Sequence, residues 1–234
     1  MLKFSQGRTL SLSDTSNPEI IRSLAQILRK THKTPVPKND TPEFSQFTYG
    51  AKWFKNHQNK IIGPSVLSEA YNRWKKLNNL TSSKNNKIVM LHNDPNLKNV
   101  LWDSSKIILL DWELAGLGDP KKEIAHVLAW YGLDKKLATE FLKIYFERQP
   151  TLSEKQVLDN LKTQILLEFA WVGLSTLTKK LTQKEWDNLY KKAPSTNIKN
   201  LSIIQLHYKT KPPEEETRKI FLGLIKNFMS KTEN

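Results

Sequence analysis

Two polar stretches stand out against the apolar runs beside them. The first is Leu91-His92-Asn93-Asp94-Pro95-Asn96-Leu97-Lys98-Asn99, the second Leu110-Asp111-Trp112-Glu113. Between them they offer carboxylates at Asp94 and Asp111 and a side-chain amide at Asn99. That is a hard set of oxygen donors. It suits Mg²⁺, which binds few protein groups and completes its shell with water and phosphate oxygens. Phosphoryl transfer needs such a set, together with an acceptor for the proton of the incoming hydroxyl. In that chemistry Asp94 is the base, and Asn99 and Asp111 are the metal ligands.

The surrounding sequence supplies a scaffold for them. Lys87-Ile88-Val89-Met90-Leu91, Asn99-Val100-Leu101-Trp102 and Lys106-Ile107-Ile108-Leu109-Leu110 read as short buried strands. Asp103-Ser104-Ser105 reads as a tight turn, so the last two runs form a hairpin. A hairpin returns the chain to where it started, which lets Asp111 approach Asn99 and Asp94. Polar residues at strand ends are held where a rigid frame can display them.

The rest of the chain reads as helical. Asn17-Pro18 caps and opens a helix whose Ile20, Ile21, Leu24, Ile27 and Leu28 make one apolar stripe; Pro35 and Pro37 stop it. Further helices are expected near 42–57 and 64–78, and over 120–131, 134–148, 153–180, 183–192 and 213–229. The last begins with Glu214-Glu215-Glu216, at the positive end of its dipole. The fold class is therefore α+β, mainly helical, with a small β-hairpin island at about 87–111.

With this organisation in place, the motif His92-x-Asp94-x4-Asn99, followed by Asp111-Trp112-Glu113 and Gly118-Asp119-Pro120, resembles the catalytic core of the aminoglycoside phosphotransferase and choline/ethanolamine kinase families. These are relatives of protein kinases. The resemblance implies Asp94 as catalytic base, Asn99 and Asp111 as Mg²⁺ ligands, and His92 as a residue that orients the loop. It implies ATP as phosphate donor and a small-molecule alcohol as acceptor. Glu123 stands where these families usually have Asp, a change expected to affect packing, not chemistry. The segment Gln6-Gly7-Arg8-Thr9-Leu10-Ser11-Leu12 resembles the connector between the two kinase lobes.

By the same resemblance the chain reads as a C-terminal lobe with the N-terminal lobe missing. Residues 1–16 are a connector remnant, and 17–234 a single helical catalytic lobe with its motifs at 91–125. Gly116-x-Gly118 has no third glycine in register and is no phosphate loop. The expectation is thus a phosphotransferase that is truncated and inactive alone, or one completed by a separate chain. The alternative is a non-catalytic remnant or small-molecule binding module.

Trp112, Glu113, Trp130 and Trp171 are candidate substrate-binding residues. In choline kinases aromatic side chains can line the acceptor pocket, and a quaternary ammonium is attracted to ring faces. Each has an ordinary alternative: core packing for the tryptophans, a solvated turn for Glu113. A choline- or ethanolamine-like acceptor is favoured, thiamine comes next and an aminoglycoside last, because a chain with net charge +14 is an awkward host for a polycation. His32, His57, His126 and His207 have no metal-like partners and read as structural or surface residues.

The +14 charge is spread over many Lys pairs rather than one block, and no zinc finger or RNP motif is present, so a nucleic-acid binder is not expected. The chain has no cysteine, which excludes a disulfide framework and a thiol nucleophile. No apolar run approaches ~18 residues, and the first residues lack the apolar stretch of a signal peptide. A cytoplasmic protein is expected.

Overall fold

A computed structural model describes residues 7–36, 63–81, 87–175, 177, 180–194 and 213–232. The helix expected near 42–57 lies outside these residues, as do His57, His207 and Gln6. The chain divides into two compact units, Met1–Ser45 with Asn85–Leu158, and Gln46–Lys84 with Asp159–Asn234.

The first unit opens with strand β1 (Arg8–Thr9), a 3-10 turn (Leu12–Ser16) and helix α1 (Pro18–Lys33). Asn17 caps α1 by accepting from Glu19 N–H at 2.9 Å. The stripe of Ile20, Ile21, Leu24 and Leu28 is buried, as its spacing predicts. Strands β2 (Val89–Leu91), β3 (Val100–Trp102), β4 (Ile107–Leu109) and β5 (Gly116–Gly118) follow. The β3–β4 hairpin forms as expected, with Val100 opposite Leu109 and Trp102 opposite Ile107. Its turn is held by the Asp103 carboxylate, which accepts from Ser105 N–H and Lys106 N–H at 3.0 and 2.8 Å.

Two strands were not expected. β1 adds to the hairpin antiparallel to β3, giving a three-stranded sheet in the order β1-β3-β4. Gly7 leads into it at φ 147°, and a Cβ there would meet the Trp102 carbonyl oxygen at 2.7 Å. β5 pairs antiparallel with β2, Leu91 opposite Gly116 and Val89 opposite Gly118. Helix α1 packs on β2 and β4. Helices α3 (Pro120–Trp130) and α4 (Lys135–Phe146) complete this part of the chain, α2 (Val66–Thr81) belonging to the second unit. α4 packs along α1. Asp119 caps α3 and Asp134 caps α4, each accepting a backbone N–H of the first turn.

The second unit contains helix α2 (Val66–Thr81), most of α5 (Leu152–Ser175), α6 (Gln183–Lys192) and α7 (Glu214–Lys231). α7 begins with the three glutamates, and Lys219 returns to Glu215 at 3.0 Å. The core is aromatic: Tyr71, Trp74 and Trp171 lie with ring centroids 5.9–6.0 Å apart. Trp74 donates its indole N–H to Glu168 at 2.8 Å. The protein is mainly helical with small antiparallel sheets, in agreement with the sequence. Among the described residues no helix is long and apolar enough to cross a membrane.

Candidate active site

β2 delivers the chain into a loop whose first residues are buried. Asn93 adopts φ 67°, in the left-handed region that asparagine tolerates better than most residues. Its side chain donates to the Leu114 carbonyl at 2.9 Å, and its N–H donates to Glu123 Oε1 at 2.6 Å. Asp94 follows, half-buried. Asn96 then caps the 3-10 turn Leu97–Asn99, accepting from Lys98 N–H at 2.9 Å and Asn99 N–H at 3.3 Å.

The side chains converge on the Asp94 carboxylate. Asn99 Nδ2 donates to Asp94 Oδ2 at 2.8 Å and to the Asp94 carbonyl at 3.1 Å. Asn96 Nδ2 donates to the same Oδ2 at 2.9 Å. Both acceptors facing Asn99 require its nitrogen, which fixes the amide orientation and leaves Asn99 Oδ1 for another partner. Asp94 Oδ1 has no hydrogen bond among the described residues and is the oxygen that can take one.

His92 ties this loop to the hairpin. Its Nε2–H donates to the Leu110 carbonyl at 2.6 Å, and its Nδ1 accepts from Asp94 N–H at 3.3 Å. A carbonyl only accepts and an amide N–H only donates, so the two bonds assign the Nε2–H tautomer. In that state both ring nitrogens are engaged with backbone. Leu110 N–H in turn donates to the Asn99 carbonyl at 2.8 Å. Leu110 therefore bonds to the backbone of Asn99 and to the ring of His92, and Asp111 is the next residue. Asp111 is exposed and stands at φ 59°. Two left-handed non-glycine residues thus flank the group, a form of backbone strain that persists where the surroundings hold it.

Among the described residues no three His, Asp or Glu side chains gather into a metal cluster. The side chains shown at the Asp94 carboxylate are the amides of Asn99 and Asn96. Trp112 is 44% exposed, sets its ring edge against His92 at 4.6 Å between centroids, and donates to the Leu109 carbonyl at 3.0 Å. Glu113 is exposed in the turn after Asp111. Trp130 lies in α3 beside His126, ring centroids 5.5 Å apart. Trp171 belongs to the second unit, where it is 1% exposed within the aromatic core.

Asn96 and Tyr131 had no role in the sequence reading, and His126 and Glu123 had only a structural one. Asn96 could have been found, since an asparagine before a short turn is a cap signal. Tyr131 donates to the Pro95 carbonyl at 3.1 Å; burial first, and the nearby Asp94 charge second, raise its pKa. Burial pushes the His126 imidazole down to about 4 against the opposing fields of Asp94 and Glu123. Glu123 is buried and grips the loop backbone, a packing role on which the loop's shape depends.

The sequence model of the family described as choline/ethanolamine kinase matches residues 1–194. Ethanolamine kinase 1 of Mus musculus is 26% identical over 170 residues, 62% of this chain and 46% of the mouse protein. The chain thus spans about half the length of that curated relative. Among solved structures, a choline/ethanolamine kinase family protein from Mesorhizobium loti superposes with a TM-score of 0.67 at 14% identity, covering 94% of this chain and 73% of the other. Choline kinase LicA from Streptococcus pneumoniae gives 0.58 at 16% identity, covering 80% and 66%. LicA is also known in complex with AMP, a structure matched at a TM-score of 0.56 and 16% identity over 74% of this chain and 58% of the other. With a match running through both polar stretches and most of the helices, the chain belongs to the choline/ethanolamine kinase family.

Proposed function

We propose that the chain carries the base and the metal-binding side chains of an ATP-dependent phosphotransferase acting on the hydroxyl of a small amino alcohol. The arrangement around Asp94 carries this reading. Two amide donors hold Oδ2, so the carboxylate is fixed in direction while Oδ1 stays open to a hydroxyl. Asp94 would accept the acceptor's proton at Oδ1. His92, with both nitrogens engaged with backbone, would orient the loop rather than move a proton.

Asn99 Oδ1 and the Asp111 carboxylate would hold Mg²⁺. The fit rests on donor chemistry: both are hard oxygens, one amide and one carboxylate, and Asp111 is open to solvent, as an ion that keeps several waters requires. When bound, the ion would neutralise charge on the phosphates. The LicA complex with AMP supports an adenine nucleotide as donor.

For the acceptor, the ethanolamine kinase relative and the family support an ethanolamine- or choline-like alcohol. Exposed Trp112 and Glu113 would offer a ring and a carboxylate to its ammonium. Tyr71 and Trp74 set their rings against Trp171, which is 1% exposed, and this favours a core role there.

The test is phosphate transfer from ATP by the full chain to ethanolamine, choline, thiamine and an aminoglycoside, with Mg²⁺. Loss of a base typically costs ~10²–10⁴-fold, so Asp94→Asn should remove nearly all turnover. Equal transfer by Asp94→Asn and the parent would show that Asp94 is not the base.

A further inference from the structure

A cavity of about 360 Å³ lies within the second unit, between α6 and the first turns of α7. Leu181 and Leu189 give it an apolar side, and Glu185, Glu214, Glu215 and Arg218 line it with charge. Its volume falls in the range that accommodates a small molecule. None of these residues takes part in the chemistry proposed above.

Arg218 is the unusual member. It is 4% exposed, yet its Nε and Nη2 have no hydrogen-bond partner among the described residues. Glu214 Oε2 stands 3.6 Å from Nη2, close enough for an ion pair and too far for a hydrogen bond. The guanidinium carbon lies 5.3 Å from the centroid of the Trp186 ring. A ring face attracts a cation but gives its N–H groups no acceptor. Trp186 adds a second donor of the same kind: it is 2% exposed, and its indole N–H has no partner among the described residues. Buried polar groups are almost always hydrogen-bonded, so two neighbours that both lack an acceptor point to one that binds there. A guanidinium resting on a ring and a long ion pair is not fixed by hydrogen bonds and can turn toward the cavity it lines.

Such donors need oxygen acceptors, and the planar guanidinium fork matches a carboxylate or a phosphate. A plain anion would meet opposition. Glu214 pairs with the guanidinium, and Glu185 and Glu215 line the same cavity. These carboxylates repel a second anion and attract an ammonium. A ligand that carries both groups meets both demands.

We propose that this cavity binds a small zwitterion, its phosphate or carboxylate on Arg218 and its ammonium on Glu214. The site does not depend on Asp94 being the base.

The experiment titrates the full chain, ¹⁵N-labelled, with four probes. Phosphoethanolamine and β-alanine are zwitterions with the two kinds of anionic group; inorganic phosphate and ethanolamine carry one end each. The readout is the indole N–H resonance of Trp186, with that of Trp74, bonded to Glu168 in the same unit, as reference. At least one zwitterion should move Trp186 and leave Trp74 in place, with a Kd on the order of 1 mM or tighter and about tenfold or more below that of either single-ended probe. The zwitterion that binds more tightly tells phosphate from carboxylate recognition. Arg218→Gln should weaken that binding about tenfold or more, as expected for a lost charge-assisted hydrogen bond. Glu214→Gln keeps the test open if Arg218→Gln does not fold. It should weaken zwitterion binding while inorganic phosphate binds more tightly, because a competing carboxylate is gone. Asp94→Asn should bind as the parent does, so failure of the catalytic reading leaves this result standing. No movement of Trp186, equally tight binding of a single-ended probe, or an equal change for both kinds of probe in Glu214→Gln would overturn the proposal. Movement of Trp112 with Trp186 unmoved would assign the ligand to the candidate active site and overturn it as well.

Discussion

Asn99 donates its side-chain amide to Asp94 Oδ2 at 2.8 Å, so one residue both fixes the direction of the carboxylate and turns its own carbonyl oxygen away from it. Asn99→Asp tests both functions at once. It is close in shape but sets a carboxylate against a carboxylate, which favours a proton on one of the pair. With Asp94 as the proposed base, turnover at neutral pH should fall by about 10²-fold, the order expected when such a carboxylate is held in its wrong protonation state. Asn99→Ala removes the donor without adding a charge. Turnover should fall further in Asn99→Asp than in Asn99→Ala, and equal losses in the two variants would mean that the added charge does not act on Asp94.

Acid should loosen the entry to the first unit through Asp14. Arg8 donates two hydrogen bonds to its carboxylate at 2.7 Å each, and Ser11 N–H adds another at 2.7 Å. The Arg8 bonds, acting against burial, hold the carboxyl well below the usual carboxylate range. A group with a lowered folded-state pKa lends stability that is present above its unfolded value of 3.8 and is lost as pH falls toward the folded one. Arg8 is largely in water, so the worth of the group is nearer ~1 kcal/mol than the figure for a buried pair. Asp14→Asn should cost that amount at pH 7 in a denaturant titration, and parent and variant should draw together below pH 3.8.

The sequence made the helices and the candidate site legible for the same reason: both are local patterns. The stripe of α1 records burial on one side, and Asp94-x4-Asn99 places two side chains at opposite ends of one short turn. β1 and β5 are not local. Arg8-Thr9 is an exposed polar pair, and Gly116-Leu117-Gly118 has the glycines that strands avoid; each extends only because β3 or β2 lies beside it. Trp171 shows a second limit, since a tryptophan on a helix reads alike as pocket wall or as core until its neighbours are known. His32 Nε2 meets Glu123 Oε2 at 2.6 Å across 91 residues of sequence, and nothing in either segment announces the other.

A second acid effect falls in a separate window. His126 is buried in α3, and burial brings its imidazole from 6.5 down to about 4 despite the fields of Asp94 and Glu123. Between those values the unfolded chain binds a proton that the folded chain refuses, so stability should fall as pH drops from 6.5 to about 4 and this loss should then level off. His126→Phe keeps an apolar ring and removes the titration. The parent's thermal midpoint should decline over this range more steeply than the variant's. Parallel declines would assign the acid sensitivity to other groups.

Gln164 offers a gain in stability. It lies in the second-unit part of α5, fully buried, and neither amide atom has a hydrogen-bond partner among the described residues. A buried polar group left without a partner costs ~1–3 kcal/mol, while an apolar group of similar shape carries no such penalty. Methionine matches the length and unbranched shape of glutamine and adapts to irregular space. Gln164→Met should therefore stabilise the fold by ~1–2 kcal/mol, and a chain of this size should gain roughly 2–8 °C in thermal midpoint. Gln164→Glu, which introduces a charge with no partner at the same place, should lower the midpoint instead. If methionine and glutamate both lower it, the Gln164 amide is meeting a partner that stabilises the fold, and the predicted gain is wrong.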